Sequence, residues 1–281
     1  MTRDALPKLA LGTWLMGGTK EPDPQNDDAH DIAVVKTALD SGITLIDTAQ
    51  NYAAGKCEEL VGAAVAGYPR GHYQILTKQN KLHLSYDEVL MGCQASLQRL
   101  GLDYIDYFLC HAPNADFDMR EFFRAANQLH KEGLVRHVGV SNLGPKMLQL
   151  AVETSEAPIV FNQVSFSPAD SDILRTGTYD FCVEHNIAIQ AYRSLVDFAD
   201  DADVAAAAQA VADGHGLTLQ QAAVAYLNSY QNMHFTIRAS STGHWQQLQD
   251  ALLVKLPPAD VEAIKQIHLQ KSGKFGDMLA L

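Results

Sequence analysis

Short apolar runs alternate with longer amphipathic segments along the whole chain of 281 residues. Each run is shorter than a typical helix and is rich in Ile, Val, Phe and Tyr, which is typical of parallel strands buried on both faces. We count eight runs: Leu9 to Trp14, Ile43 to Ala49, Tyr73 to Lys78, Tyr104 to His111, Val135 to Asn142, Ile159 to Phe166, Ile187 to Tyr192 and His234 to Ser240.

The segments between these runs have the spacing of amphipathic helices. From Asp87 to Leu100, apolar residues recur at intervals near three and four, and Gly101 supplies a helix stop. Two further helices are predicted over Val204 to Asp213 and Leu219 to Asn228, the second with Thr218 as its N-cap. The chain is therefore expected to alternate strands and helices throughout.

A (β/α)8 barrel of eight strand-helix units typically takes about 250 residues, which is close to the length of this chain. We therefore predict that residues 1–281 form a single α/β domain, a (β/α)8 TIM barrel. A doubly wound sheet is the competing fold, but it normally has a G-x-G-x-x-G fingerprint after its first strand. The segment LGTWLMGGTK at that position lacks the fingerprint.

Composition excludes several classes of partner. The chain has 21 Lys and Arg against 33 Asp and Glu, for a formal net charge of -12, which opposes general binding to nucleic acid or anionic lipid. No run approaches the ~20 apolar residues of a membrane span. The four cysteines are scattered without zinc-finger spacing, so we expect free thiols, no metal site and a cytoplasmic protein.

Polar residues collect where the predicted strands end. The carboxyl ends of barrel strands carry the active sites of this fold, so these positions are the candidates for chemistry. They are Asp47 with Tyr52 in the loop after it, Lys78, His111, Ser141, Asn142, Asn162, Gln163, Tyr192, Arg238 and Ser240.

The first four of these residues form a coherent catalytic set. Lys78 lies one strand beyond Tyr52 and would stabilise a phenolate and lower the pKa of the phenol, while Asp47 is placed to pair with Lys78. Tyr52 would donate a proton, and His111 would orient or polarise a bound oxygen. Each alone has a structural explanation, such as a turn cap or a rim charge, but their joint occurrence on three successive strand ends favours catalysis.

The order of motifs resembles the aldo-keto reductase family over nearly the whole chain. The matching blocks are Leu11-Gly12-Thr13-Trp14, Ile46-Asp47-Thr48-Ala49 with Tyr52, Glu58 and Gly62, Thr77-Lys78, Leu102 to Asp106 leading to His111, Gly139 to Asn142, Asn162-Gln163-Val164, and Ala191-Tyr192. The resemblance implies a barrel that binds a nicotinamide cofactor without a Rossmann domain. It places the catalytic residues at Asp47, Tyr52, Lys78 and His111, and it implies hydride transfer to a carbonyl carbon while Tyr52 protonates the oxygen.

The same resemblance implies the cofactor contacts. Ser141, Asn142 and Gln163 would bond the nicotinamide carboxamide, and Tyr192 would stack on the ring. The remaining residues expected at the cofactor are Gly12, Thr13, Trp14, Asp47, Arg193, Ser194, Leu195, Arg238, Ala239, Ser240, Ser241 and Thr242. Those expected at the substrate are Trp14, Tyr52, His111 and Phe117.

Three departures from the family pattern bear on these expectations. Ala53 follows Tyr52 where family members commonly have Gly, a change that we expect to be tolerated. Arg193 could pair with a pyrophosphate or be a surface residue. The common Ile-Pro-Lys-Ser reads Ile237-Arg238-Ala239-Ser240, which removes a lysine. NADPH is the preferred cofactor, supported by Arg238 and the hydroxyls from Ser240 to Thr242, and NADH stays open.

The substrate class implied is an aldehyde or ketone of modest size. Trp14 and Phe117, with Phe198 or Met278, are candidates for an apolar wall, and the resemblance implies a monomer. One alternative is a catalytically weak, nicotinamide-binding regulatory or redox-sensing subunit on the same barrel. Another is a metal-dependent barrel enzyme, which the Gly-Thr-Trp end of the first strand opposes because it offers no metal ligands.

Overall fold

The structure is a computed structural model that describes residues 6–196, 201–273 and 276–279. Eight parallel strands in this part of the chain close into a barrel, in which each strand pairs with the next and the last pairs with the first. They are β1 (Leu9–Gly12), β2 (Leu45–Asp47), β3 (Gln74–Gln79), β4 (Ile105–Cys110), β5 (Val135–Ser141), β6 (Ile159–Ser165), β7 (Ala188–Tyr192) and β8 (Met233–Ile237). The predicted (β/α)8 barrel is confirmed.

Helices surround the barrel. Those found among the described residues are α1 (Asp28–Asp40), α2 (Lys56–Val65), α3 (Tyr86–Leu100), α4 (Met119–Lys131), α5 (Pro145–Thr154), α6 (Asp172–Arg175), α7 (Thr178–Glu184), α8 (Ala202–His215), α9 (Leu219–Leu227), α10 (Thr242–Leu253), α11 (Pro258–His268) and α12 (Gly276–Leu279).

The predicted helix ends agree with the observed caps. Gly101 ends α3 in the left-handed region at φ 67°, which glycine adopts without steric cost. Thr218 caps α9, and its hydroxyl accepts a hydrogen bond from the backbone N–H of Gln221 while the Gln221 side chain accepts one from the Thr218 backbone N–H. Strand β8, however, ends three residues before the predicted limit at Ser240, because the chain turns after Ile237 to begin α10.

The barrel interior is apolar at one level and polar at the next. An apolar cluster inside the barrel includes Leu45, Leu76, Phe161 and Ala188. Side chains two residues apart on a strand point to the same face, so the next inward positions on those four strands are Asp47, Lys78, Gln163 and Gln190, all buried. The polar layer therefore rests on packed apolar side chains at the carboxyl ends of the strands.

The pairing of β5 with β6 is irregular. The register shifts between Val138 and Val140, an irregularity of the kind that re-aims side chains near active sites.

The cysteines and the helices also bear on the expectations. All four cysteines are buried and free. No described helix combines the length and the apolar character that crossing a membrane requires.

Candidate active site

A strained turn after β2 carries Tyr52. This residue begins a short 3₁₀ turn over Tyr52–Gly55 in which Ala53 and Ala54 have φ angles of 47° and 49°. The left-handed region costs a residue with a Cβ atom roughly 1–2 kcal/mol, and the hydrogen bond from the Ala53 backbone N–H to the Thr19 carbonyl, 2.9 Å, helps to hold the turn. Ala53 therefore keeps the backbone shape that Gly would adopt freely.

Lys78 connects the turn to the barrel interior. Its ammonium is fully buried, forms an ion pair with Asp47, and donates to the Thr48 carbonyl at 2.9 Å. The same Nζ atom lies 3.3 Å from the Tyr52 hydroxyl oxygen. A buried ammonium is costly unless it is paired and fully hydrogen-bonded, and here its three donors all have partners. The expected contact of Asp47, Lys78 and Tyr52 is present.

Burial and charge set the protonation of this group. Burial raises the pKa of the Tyr52 phenol above its ordinary value, and the Lys78 ammonium opposes that rise without cancelling it. Burial alone would lower the Lys78 pKa, but attraction to Asp47 and Tyr52 outweighs it, and the pKa is raised. Tyr52 is therefore a neutral phenol at neutral pH beside a permanent cation, and the pKa lowering by Lys78 that the sequence predicts is only a partial compensation for burial.

His111 completes the expected set across the mouth. Its ring meets the Tyr52 ring edge-on, with centroids 5.7 Å apart. Burial and the positive charges of Lys78 and Lys81 lower its pKa to about 3, so the imidazole is neutral. Its Nδ1 atom is buried and has no hydrogen-bond partner among the described residues. The imidazole is therefore a neutral ring beside Tyr52 with one nitrogen left without a protein partner.

Neutral side chains on β5 to β7 form a second group. Asn142 adopts φ 59°, and its amide nitrogen donates to the Ser141 hydroxyl at 3.0 Å and to the His111 carbonyl at 3.3 Å. Its amide oxygen accepts a hydrogen bond of 2.9 Å from the Tyr192 hydroxyl. Three of the four residues expected at the nicotinamide on these strands, Ser141, Asn142 and Tyr192, are thus joined through the Asn142 amide.

Gln163 links the two groups inside the barrel. Its amide nitrogen donates to Asp47 Oδ2 at 2.7 Å and to Gln190 Oε1 at 3.0 Å. On the other side of the barrel, the Thr236 hydroxyl donates to the same Asp47 oxygen at 2.9 Å. Asp47 therefore uses one oxygen for Lys78 and the other for two neutral donors.

The end of β1 is fastened to the same carboxylate residue. The backbone N–H and the hydroxyl of Thr13 both donate to the Asp47 carbonyl, at 3.0 and 2.9 Å. A Cβ atom on Gly12 would lie 2.9 Å from the Thr236 methyl, so the strand can approach β8 this closely only without a side chain. Trp14 follows with 53% of its surface exposed.

The remaining expected residues lie around the β7 and β8 ends. Arg193 has φ 59°, and the buried Ser194 hydroxyl donates to the Ala191 carbonyl at 3.3 Å. Ser241 is the N-cap of α10, and its hydroxyl accepts from the His244 backbone N–H. The other residues here are Leu195, which is half-buried, Ala239, which is buried, and Ser240 and Thr242, which are exposed.

Arg238 is directed elsewhere. Its guanidinium donates to the Trp14 carbonyl at 3.1 Å and lies 3.5 Å from an Asp31 carboxylate oxygen on α1. Of the apolar wall, Phe117 is half-buried against the core, Met278 is half-buried in α12, and Phe198 falls outside the described residues.

Sequence reasoning missed three polar residues of this site, Thr48, Gln190 and Thr236. Strand parity could have found the last two, because each lies two residues from an inward-facing position of its strand, Ala188 and His234. The Thr48 contact comes from a backbone carbonyl, which no side-chain pattern records. Within the described residues, no group of three or more His, Cys, Asp and Glu side chains has the arrangement of a metal site.

Comparison with known proteins identifies the family. The model of the Aldo/keto reductase family matches residues 8–269. The chain belongs to this family. It is 27% identical over 277 residues to methylglyoxal reductase YeaE of Escherichia coli K12, covering 96% of this chain and 94% of that protein. The resemblance in sequence motifs and the expectation of a carbonyl-reducing oxidoreductase are thereby confirmed.

Solved aldo-keto reductases share the architecture. The thermostable aldo-keto reductase Tm1743, in complex with the inhibitor epalrestat, superposes with a TM-score of 0.87 at 31% identity, over 93% of this chain and 95% of that one. An aldo/keto reductase from Klebsiella pneumoniae, in complex with NADP and acetate, gives 0.81 at 28% identity, over 96% and 94% of the two chains.

Proposed function

We propose that this protein reduces small aldehydes or ketones to alcohols with NADPH, and that Tyr52 is the proton donor. The observation that carries the proposal is the position of the Tyr52 hydroxyl. It lies 3.3 Å from the buried Lys78 ammonium, which forms an ion pair with Asp47. An isolated buried ammonium would be unstable, and an isolated phenol would be a poor acid. Together they form a proton donor whose conjugate base is stabilised.

The chain's own residues perform the proton transfer. The Tyr52 O–H donates its proton to the carbonyl oxygen, and the resulting phenolate is stabilised by Lys78. Asp47 keeps Lys78 charged and fixed. His111 is neutral and its ring meets Tyr52 edge-on, so it is placed to orient the carbonyl oxygen without adding a second charge.

Reduced nicotinamide supplies the hydride that reaches the carbonyl carbon. The residues present fit this group: Ser141, Asn142 and Gln163 offer a hydroxyl and two amides for a carboxamide, and Tyr192 offers a ring at the same edge. The hydroxyls at the start of α10, Ser241 and Thr242, adjoin helix N–H groups suited to a phosphate. Complexes of relatives with NADP support NADPH as first cofactor, and NADH is the comparison.

Methylglyoxal is the first substrate to test, because relatives of this chain carry the name methylglyoxal reductase. The nearby exposed Trp14 and half-buried Phe117 support carbonyl compounds with a small apolar part. A regulatory, redox-sensing subunit on the same barrel is the alternative, and it gives no reason for a buried Lys78 beside Tyr52.

The test is Tyr52→Phe, measured with methylglyoxal and an aromatic aldehyde, each with NADPH and NADH. We expect kcat to fall about 10²- to 10⁴-fold, the usual contribution of a positioned acid, while cofactor binding, followed by quenching of intrinsic fluorescence, stays within about twofold, because the phenol hydroxyl is not needed to bind nicotinamide. Tyr68→Phe is the matched control, since Tyr68 is half-buried and its hydroxyl donates to Asp40 at an exposed site.

Two results would contradict the proposal. Near wild-type turnover in Tyr52→Phe would remove Tyr52 as the acid. Cofactor binding by the wild-type protein without turnover of any carbonyl compound in a broad panel would favour the regulatory alternative.

A further inference from the structure

We propose that Arg238 is a positioning residue for the substrate. It acts by holding Trp14 and the β1–α1 loop, residues 13–27, in place beside the mouth, and it does not bind the cofactor phosphate. The inference rests on the proposed function, since it assigns Arg238 a part in substrate selection at that same site. It starts from two contacts that lie on the same side of β8.

The first contact is with the main chain that carries Trp14. A terminal nitrogen of Arg238 donates to the Trp14 carbonyl at 3.1 Å. The Trp14 side chain is 53% exposed and follows the strand whose end touches Asp47 through Thr13. A shift of this carbonyl therefore moves the indole relative to Tyr52 and His111.

The second contact is with Asp31, whose side chain is 5% exposed. The other Asp31 oxygen accepts from the Gly17 backbone N–H and from the Asn26 amide, both at 2.9 Å. Asp31 thus binds residues near both ends of the β1–α1 loop. The Arg238 guanidinium supplies a positive charge 3.5 Å from the buried Asp31 carboxylate.

The loop between these contacts needs such fastening. Leu15, Gly17 and Gly18 have φ angles of 77°, 78° and 135°, and the left-handed region is unfavourable for Leu15. Trp14 and Leu15 are exposed, whereas Met16 is fully buried in the core. Apolar burial therefore holds the loop at Met16, and the polar contacts from Arg238 and Asp31 hold the Trp14 carbonyl and the Gly17 backbone N–H on either side of it.

The guanidinium makes no hydrogen bond to the described residues of the candidate phosphate site. Among the described residues, its contacts are with Trp14 and Asp31, and none is with Ser240, Ser241 or Thr242. A planar guanidinium can serve two acceptors from different nitrogens, which a lysine ammonium on its flexible stem does less well. Lysine, in contrast, is an adequate phosphate ligand.

That difference gives a discriminating pair of variants, Arg238→Ala and Arg238→Lys. We expect both to raise KM for an aromatic aldehyde about threefold to tenfold, the effect of one lost net hydrogen bond. The kcat should stay within about twofold of the wild-type value, because Asp47, Tyr52, Lys78 and His111 are unchanged. The ratio of the NADPH and NADH dissociation constants should stay within about twofold. Asp31→Asn should reproduce the KM change, and adding Arg238→Ala to it should raise KM little further, since the two residues act through one contact.

The matched control is Arg124→Ala, which removes an exposed arginine paired with Glu121. It should leave KM, kcat and the dissociation constants of NADPH and NADH unchanged.

A readout that needs no turnover is acrylamide quenching of tryptophan fluorescence. The chain has two tryptophans, and Trp245 is fully buried, so quenching reports Trp14. We expect the quenching constant to rise in both Arg238 variants.

Loss of NADPH affinity of about tenfold in Arg238→Ala, with NADH unaffected and Arg238→Lys close to wild type, would overturn the inference and make Arg238 a phosphate ligand. Unchanged KM and unchanged quenching in Arg238→Ala would overturn it as well. If the wild-type protein reduces no carbonyl compound, the proposed function fails, and the quenching result alone then decides whether Arg238 holds the loop.

Discussion

On the β2–β4 side of the barrel mouth, a buried charge pair holds the reactive groups, whereas on the β5–β7 side the equivalent positions are held by neutral side chains. Lys78 joins Asp47 and Tyr52 through one ammonium. Asn142 joins Ser141 and Tyr192 through one amide. The first side is fixed by its own ion pair. If the second side holds the cofactor as we propose, it would exchange its internal hydrogen bonds for those of the cofactor, at modest cost because each exchange is between neutral groups.

The two sides share Asp47. Lys78 takes one carboxylate oxygen, and Gln163 with Thr236 takes the other. The Gln163 amide is therefore connected through Asp47 to the ammonium beside Tyr52. The variants that follow test how far the difference between a charged and a neutral side extends.

Lys78→Met should give the largest effect. Removing the ammonium leaves Asp47 buried without its counter-ion, and breaking a buried pair typically costs about 3–5 kcal/mol of unfolding free energy. Carbonyl reduction should fall by about 10³-fold or more, because the phenolate loses its stabilising charge. Urea unfolding and steady-state kinetics measure the two effects.

The double variant Asp47→Asn, Lys78→Met is its control. It has no unpaired charge, so we expect it to recover a large part of the lost stability and none of the activity. Equal stability of the single and double variants would show that the charge pair does not hold this side of the mouth.

A smaller effect is expected from acid, through two buried histidines. His268 is fully buried, its Nε2 donates to the Asp170 carbonyl at 2.9 Å and its Nδ1 accepts from the Tyr226 hydroxyl at 2.9 Å. Burial lowers its pKa to about 4. Burial also lowers the His111 pKa, to about 3, so both sides of the molecule carry a histidine that is neutral when folded.

Because the unfolded chain binds a proton at His268 near pH 6.5 and the folded chain only near pH 4, stability is complete above pH 6.5 and falls as the pH drops toward 4, by about 3 kcal/mol. Urea unfolding at pH 7 and pH 4.5 should show a loss in the wild-type protein that is smaller in His268→Gln by the share of that residue. His111→Gln should remove a share of similar size, and an unchanged acid loss in either variant would show that its histidine does not set the acid sensitivity.

The arrangement of the β2–β4 side could be predicted from sequence because strand ends fix it. Asp47, Lys78 and His111 each lie at or next to the last residue of a strand, and parallel strands in a closed barrel bring their carboxyl ends to one mouth. The burial that makes a lone lysine unstable also requires the nearby carboxylate, so pairing of Asp47 with Lys78 follows from physical principle.

The β8 side could not be predicted to the same degree. Arg238 lies just beyond a strand end, like the catalytic residues, but its side chain is long and can reach either neighbouring strand. A one-dimensional pattern does not contain the buried Asp31 that attracts it. Parity places Thr236 on the inward face, but the predicted strand ran three residues too far, so Thr236 did not stand out as a residue at the strand end.

Thr236→Val should give the smallest effect, and it tests whether the two sides are coupled through Asp47. Valine keeps the shape and removes only the hydroxyl that donates to Asp47 Oδ2 at 2.9 Å, while Lys78 and Gln163 still satisfy the carboxylate. We expect a loss of about 1–2 kcal/mol in unfolding free energy and a fall in kcat of about threefold, with Thr236→Ser close to wild type because it restores the donor. A change in cofactor affinity with kcat unaltered would mean that Thr236 serves the cofactor side alone, whereas a fall in kcat at constant affinity would mean that the second oxygen of Asp47 helps to set the charge felt by Tyr52.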